Sequence, residues 1–205
     1  MSRLLYLQSG GPTAVLNSSA QGVIEAARAP GVAVCAAADG LAGLRGGRLL
    51  DLDAASAVDI ARLGSLPGAA FGSSRDILAP FEDDAAGWQQ LAEVLRRFDI
   101  GPVLLNGGNG SMETARLLQQ LGERFALPLQ VVGIPKTIDN DLEGTDFSPG
   151  YPSAAKYLAS SLREVTLDVR SMAQQRVFIM ETMGRHVGWL TAACALAALP
   201  SRGTK

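Results

Sequence analysis

The sequence has a single histidine, His186, in 205 residues. A histidine-based triad would have to use it, and no serine sits in a strand-to-helix nucleophile elbow. We read His186 as a packing or substrate-contact residue. There are two cysteines, Cys35 and Cys194, each inside an apolar run. They lack metal-ligand spacing, so we expect two buried thiols and no oxidising compartment. The most apolar stretch, Leu190 to Leu199, is too short to span a bilayer. The N-terminus has no charged region leading into a long apolar segment, so no signal peptide is read. We expect a soluble, cytoplasmic protein with no membrane partner. The formal charge of -2 provides no basic surface for nucleic acid. Two nucleotide motifs are also missing. No G-x-x-x-x-G-K-[ST] occurs, which excludes a P-loop, and no G-x-G-x-x-G follows the first strand, which argues against a dinucleotide site.

What the chain does have is glycine in functional places and alternating strand and helix patterns. Leu4 to Leu7 reads as a strand, Ser9-Gly-Gly-Pro-Thr13 as a turn, and Ala14 to Ala27 as a helix. Val32 to Ala38 reads as a second strand. Asp39 to Leu52 reads as loop with a short hairpin, and Asp53 to Leu63 as a helix with an aspartate cap. Gly68 to Phe71 suggests a short strand before the loop Gly72-Ser-Ser-Arg75. Asp84 to Phe98 has strong helical periodicity. Val103 to Leu105 is a buried strand, and Ser111 is placed to cap a helix from Met112 to Phe125. Leu129 to Ile134 is another strand, and Pro152 to Met172 a long helix. Val177 to Met180 reads as a strand, and Met183-Gly-Arg185 as the opening of a helix through Leu199. Alternation of this kind predicts a doubly wound, mostly parallel α/β sheet, a Rossmann-like three-layer arrangement with the start of a second, similar domain. Glycine, proline, serine and aspartate cluster at Gly144 to Pro152, so we place the boundary there, giving domains 1–147 and 148–205.

Three turns follow a strand and precede a helix: Ser9 to Thr13, Asn106 to Ser111 and Pro135 to Asp141. Backbone N–H groups at such places attract anions, and glycine lets a phosphate approach closely. Phosphoryl transfer needs charge neutralisation, a metal and a base. The third turn carries Lys136, Thr137, Asp139 and Asp141 within six residues. One aspartate is suited to take a hydroxyl proton and the other to face a metal. The plainer alternative is an aspartate that forms a turn or caps a helix. Arg75, Arg176 and Arg185 are candidate cations, against the plainer reading of solvated arginines. Arg185, expected at a helix start, opposes the helix dipole, and an anionic ligand would repair that mismatch.

These residues resemble the ordered motifs of the phosphofructokinases. The resemblance rests on Gln8-Ser-Gly-Gly-Pro-Thr-Ala-Val-Leu-Asn17, Gly72-Ser-Ser-Arg75, Gly107-Gly-Asn-Gly-Ser111, Pro135-Lys-Thr-Ile-Asp-Asn-Asp141 and Met183-Gly-Arg185, and runs to about Ala197. It implies phosphoryl transfer to the 1-hydroxyl of fructose 6-phosphate, with Mg²⁺. It implies that Gly11, Arg75, Gly108, Asn109, Gly110 and Ser111 bind the donor, and that Arg75 and Thr137 meet the transferring group. Lys136 would serve the donor, Asp139 would be the base, and Asp141 with Asn109 would serve the metal. Thr137, Asp139, Arg176, Met183, Gly184 and Arg185 would hold the sugar phosphate. Arg176 would reach a neighbouring subunit's site, so a homo-oligomer, dimer or tetramer, is implied.

The family's residue patterns divide on the donor. Lys136 is characteristic of pyrophosphate users, which normally carry an aspartate where this chain has Gly110. That carboxylate occupies the space of the α-phosphate of ATP, and Gly110 leaves the space open. We therefore favour ATP, with pyrophosphate as the alternative. Asn109 stands where ATP-using relatives have a metal-interacting aspartate. Family members continue well beyond residue 205, and Ala198 to Lys205 stops resembling them, as a truncated end would. Two further readings follow: an inactive ligand-binding relative, and a lipid or NAD kinase, which also carries Gly-Gly-Asx-Gly turns. The run from Pro135 and Met183-Gly-Arg185 argue against the kinase.

Overall fold

A computed structural model describes residues 2–174 and 176–198. The chain forms two compact units, Met1–Lys136 and Thr137–Lys205. In the first, a five-stranded sheet is built from β1 (Arg3–Gln8), β2 (Val34–Ala37), β3 (Leu49–Asp51), β4 (Ile100–Gly107) and β5 (Gln130–Pro135), in the order β3-β2-β1-β4-β5. All neighbours are parallel except β3, which pairs antiparallel to β2 at the edge. The helices of this unit are α1 (Ala14–Arg28), α2 (Gly40–Arg45), α3 (Ala57–Leu63), α4 (Ala85–Arg97) and α5 (Asn109–Arg124). The chain order β1-α1-β2 and β4-α5-β5 is the crossover pattern that a parallel sheet requires. The predicted mostly parallel α/β fold is therefore the one the chain adopts.

Strand periodicity of two divides the core into two layers. Leu5, Leu7, Cys35, Ala37, Val103 and Leu105 face α2, α4 and α5, and pack with Leu44, Trp88, Leu91, Leu118 and Leu121. Tyr6, Val34 and Ala36 face the other way, against Ala20 and Ile24 of α1 and Ile60 and Leu63 of α3. This second layer is narrower. Pro102, Leu104 and Ile134 line an open apolar groove of about 560 Å³ beside Gly22 and Val23 of α1, and Val132 of β5 is exposed.

Several sequence expectations need correction. Residues 40–45 form α2 where loop and hairpin were expected; only β3 of that hairpin exists. The cap of α3 is Ser56, whose Oγ accepts from Asp59 N–H at 3.1 Å, so the helix starts at Ala57. Asp53 Oδ1 instead accepts from Val34 N–H in β2 at 2.8 Å. Residues 68–71 form no strand; the one sheet-like contact there is a bridge from Ser74 to Ser9. Ser111 does not cap α5, which begins two residues earlier behind Gly108.

The second unit contains α6 (Tyr151–Ser171), α7 (Trp189–Ala193) and a 3₁₀ helix at Cys194–Ala198. Of the 21 residues of α6, only Ala155 is buried. Val177 to Met180 is not a strand: Val177 and Ile179 are exposed, and none of the described strands pairs with them. Apolar residues make a strand only where a neighbour satisfies their backbone groups. The helix expected from Met183 starts at Trp189, and its expected end, Leu199, lies outside the described residues. No described helix is long and apolar enough to cross a membrane.

Candidate functional site

The carboxyl ends of β1, β4 and β5 lie side by side, and each runs into one of the three turns. Ligands of open α/β sheets bind at such ends. Hydrogen bonds join the first two turns and the start of the third, as far as Lys136. Ser9 N–H donates to Asn106 O at 2.9 Å, and Lys136 N–H donates to Gly107 O at 2.9 Å. Ser111 Oγ donates to Ser9 Oγ at 2.9 Å. Gly107 is demanded by this closeness, because a Cβ there would fall 2.2 Å from Ser111 Oγ and 3.0 Å from Ser9 O.

The turn after β1 is held from two sides. Gly10 N–H donates to Ser74 O at 3.0 Å, and Ser73 Oγ donates to Gly10 O at 2.8 Å. Lys136 is 6% exposed, and its Nζ donates to Gly11 O at 2.5 Å. A buried ammonium thus lies against the glycine turn. The loop that carries Ser73 and the exposed Arg75 is itself anchored by a buried pair. Gln8 Oε1 accepts from Phe71 N–H at 3.1 Å, and Asn17 Oδ1 accepts from Ala70 N–H at 2.7 Å. Gln8 Nε2 donates to Asn17 Oδ1 at 3.2 Å, which ties the two amides together. Gln8 and Asn17 belong to the first motif, yet only the fold shows that they fasten the loop of the second.

The turn after β4 opens α5. Gly108 precedes the helix with no side-chain cap, and the first turn holds no acidic residue. The first N–H groups of such a helix lack intrahelical acceptors, and the dipole favours an anion there. A Cβ at Gly110 or at Gly11 would meet nothing within 4 Å. Space therefore exists for a bound group at both places.

In the second unit, Thr137 Oγ1 accepts from Asp139 N–H at 3.0 Å. Asn140 has φ +60°. Its Oδ1 accepts from Ser148 N–H at 2.7 Å and its Nδ2 donates to Asp146 O at 3.1 Å, which closes the loop behind Asp139 and Asp141. Asp139 Oδ1 is buried and has no hydrogen-bond partner. A carboxylate oxygen in that state is costly unless a ligand supplies a proton or a donor. Arg176, Met183, Gly184 and Arg185 are exposed. Arg185 lies ahead of α7, so the expected clash with a helix dipole does not arise.

Among the described residues no three histidine, cysteine, aspartate or glutamate side chains cluster as a metal cage. Mg²⁺ does not need one, since it binds through one or two carboxylates, waters and substrate phosphates. Asn109 in the first unit and Asp141 in the second each carry side-chain oxygens of the hard type that Mg²⁺ takes.

Comparison with known proteins places this arrangement. The family model for phosphofructokinase matches residues 3–202. The pyrophosphate–fructose 6-phosphate 1-phosphotransferase of Xanthomonas campestris pv. campestris is 52% identical over 196 residues, covering 95% of this chain and 47% of that protein. An ATP-dependent 6-phosphofructokinase of Actinobacillus pleuropneumoniae is 35% identical, covering 97% of this chain and 57% of that protein. The crystal structure of a pyrophosphate-dependent phosphofructokinase from Nitrosospira multiformis superposes with a TM-score of 0.87 at 41% identity, covering 98% of this chain and 51% of that one. The chain thus spans about half the length of the relatives it matches. With a family model matching nearly from end to end, and with a relative at 52% identity, the chain belongs to the phosphofructokinase family.

Proposed function

We propose that the chain carries the donor side, and part of the acceptor side, of a phosphoryl transfer to the 1-hydroxyl of fructose 6-phosphate. The observation that carries this reading is the hydrogen-bonded joining of the glycine turns to buried Lys136. Residues 1–147 would bind the donor, and residues 148–205 would form part of the sugar-phosphate domain. Gly11, Gly108, Gly110 and Ser111 offer backbone and hydroxyl groups to the donor phosphates, and Arg75 and Lys136 offer positive charge. Thr137 meets the transferring group. Asp139 takes the hydroxyl proton, a role supported by its unpaired oxygen. Arg176, Met183, Gly184 and Arg185 hold the sugar phosphate. Asp141 and Asn109 would hold Mg²⁺, which when bound supplies neutralisation of phosphate charge. A homo-oligomer and a cytoplasmic location belong to the same reading.

For the donor, two readings each have an observation. Pyrophosphate is supported by the 52% identity to a relative named for it, against 35% to one named for ATP. ATP, which the residues alone favour, is supported by the open space at Gly110. A coupled assay with fructose 6-phosphate and each donor, alongside calorimetric binding of each, tests the proposal. Turnover with one donor establishes it. Binding without turnover favours an inactive relative. Neither binding nor turnover overturns it.

A further inference from the structure

We infer that Ser73 is a positioning residue that aims the Gly11 N–H at the donor phosphate, an inference that rests on the function proposed above. In a trans peptide the C=O and the following N–H point in opposite directions. Ser73 Oγ donates to Gly10 O at 2.8 Å, so the Gly11 N–H points away from Ser73. No hydrogen bond among the described residues takes that N–H. The next peptide is fixed by Lys136 Nζ on Gly11 O, but it leads into Pro12, which has no N–H. Gly11 therefore supplies the one orientable donor at the Gly10–Pro12 bend, and Ser73 sets its direction.

The remaining contacts of the turn cannot replace this one. The Gly10 N–H bond to Ser74 O holds the preceding peptide and leaves the Gly10–Gly11 plane free to rotate. A Cβ at Gly11 would meet nothing within 4 Å, and one at Gly10 would meet only Lys136 Nζ at 3.8 Å and Gly108 N at 3.9 Å, so no side chain is packed tightly against the two glycines. Ser73 is held in turn by the loop that Gln8 and Asn17 fasten to the core. A hydroxyl on a rigid loop pre-orients a flexible glycine peptide, which lowers the ordering cost of binding.

The test uses the full 205-residue chain, with inorganic pyrophosphate and ATP, each with Mg²⁺, as calorimetric probes. Ser73→Ala is expected to weaken the bound donor about five- to tenfold, the scale of one hydrogen bond, and to leave fructose 6-phosphate affinity within about twofold of the parent. Ser73→Thr keeps the hydroxyl and is expected to restore donor affinity. An unchanged donor affinity in Ser73→Ala overturns the inference. So does equal loss for donor and sugar phosphate that threonine does not rescue, which marks a purely structural role. Independently of any variant, the Gly11 amide resonance of the unmodified chain is expected to shift on adding pyrophosphate or ATP. A Gly11 amide that stays still while donor binds overturns the inference and leaves the proposed function intact. A parent chain that binds neither donor overturns both.

Discussion

Removing the ammonium of Lys136 separates a structural lysine from a donor-binding one. Methionine is the apt replacement, being unbranched, apolar and similar in length. Lys136 is 6% exposed, so the substituted side chain stays in a buried setting. The loss includes the charge near the glycine turn and the hydrogen bond to Gly11 O. A hydrogen bond involving a charged group contributes about 1.5–3 kcal/mol. With about 1.4 kcal/mol per tenfold, donor affinity is expected to fall about 10- to 150-fold if that interaction serves the bound donor. Pyrophosphate should lose more than ATP, because it concentrates its charge in a smaller volume. Calorimetry with both donors, at fixed ionic strength, reads this directly. Thermal unfolding must accompany it, since the carbonyl left behind is itself a cost. A Lys136→Met chain that binds both donors within about twofold of the parent refutes the assignment. Lys136→Arg is expected to recover only part of the affinity, because a planar guanidinium does not replace a compact ammonium at a buried site.

Gly110→Asp is expected to lower ATP binding while sparing pyrophosphate, with little change in thermal midpoint, because its Cβ meets nothing within 4 Å and an acid suits the first turn of α5; equal ATP binding in parent and variant, by calorimetry, would sink the α-phosphate argument. Gly43→Ala is expected to cost more than about 4 kcal/mol in denaturant unfolding, because its Cβ would stand 1.4 Å from Ala38 O and the backbone must move. Burial pushes the Cys35 thiol up to about 11 from its ordinary 9.0. The folded state therefore holds the proton longer than the unfolded chain, so stability is unaffected below about pH 9 and falls between about pH 9 and 11; Cys35→Ala is expected to flatten that part of the pH profile of unfolding.

Much of the first unit was legible because periodicity and burial agree there. Val103 to Leu105, Leu4 to Leu7 and the helix after Asp84 follow patterns that the core then enforces. The errors fall where another force decides. Gly40 to Arg45 contains three leucine or alanine positions among glycines, and reads as loop because glycine is a poor helix former. Leu41 and Leu44 nonetheless bury against the sheet, and that packing overrides propensity. Asp53 stands ahead of an apolar run, where an aspartate has the sequence look of a cap; its carboxylate instead has a backbone partner in β2, which only the fold brings near. Val177 to Ile179 had the composition of a strand but found none among the described residues to pair with.

The site shows the same division at finer scale. Motif order singles out Gly11, Gly110 and Lys136 as candidates, because glycine and charge at strand ends leave a signature in any single sequence. Ser73 stands inside the Gly72-Ser-Ser-Arg75 motif, yet nothing there gives it a role: a serine in a loop is common, and its value here is a bond to a carbonyl 63 residues away in sequence. Gln8 and Asn17 sat inside the first motif, but nothing in their spacing says that they bind Phe71 and Ala70, residues 63 and 53 positions distant. Groups that would touch ligand are chemically distinctive. Groups that aim them are ordinary amides and hydroxyls, defined by partners that only folding supplies. It follows that a search for donor affinity confined to groups that would touch the donor misses part of its cause. Changing Lys136 alters charge, whereas changing Ser73 alters direction, and the two should combine non-additively because both bond the Gly10–Gly11 turn.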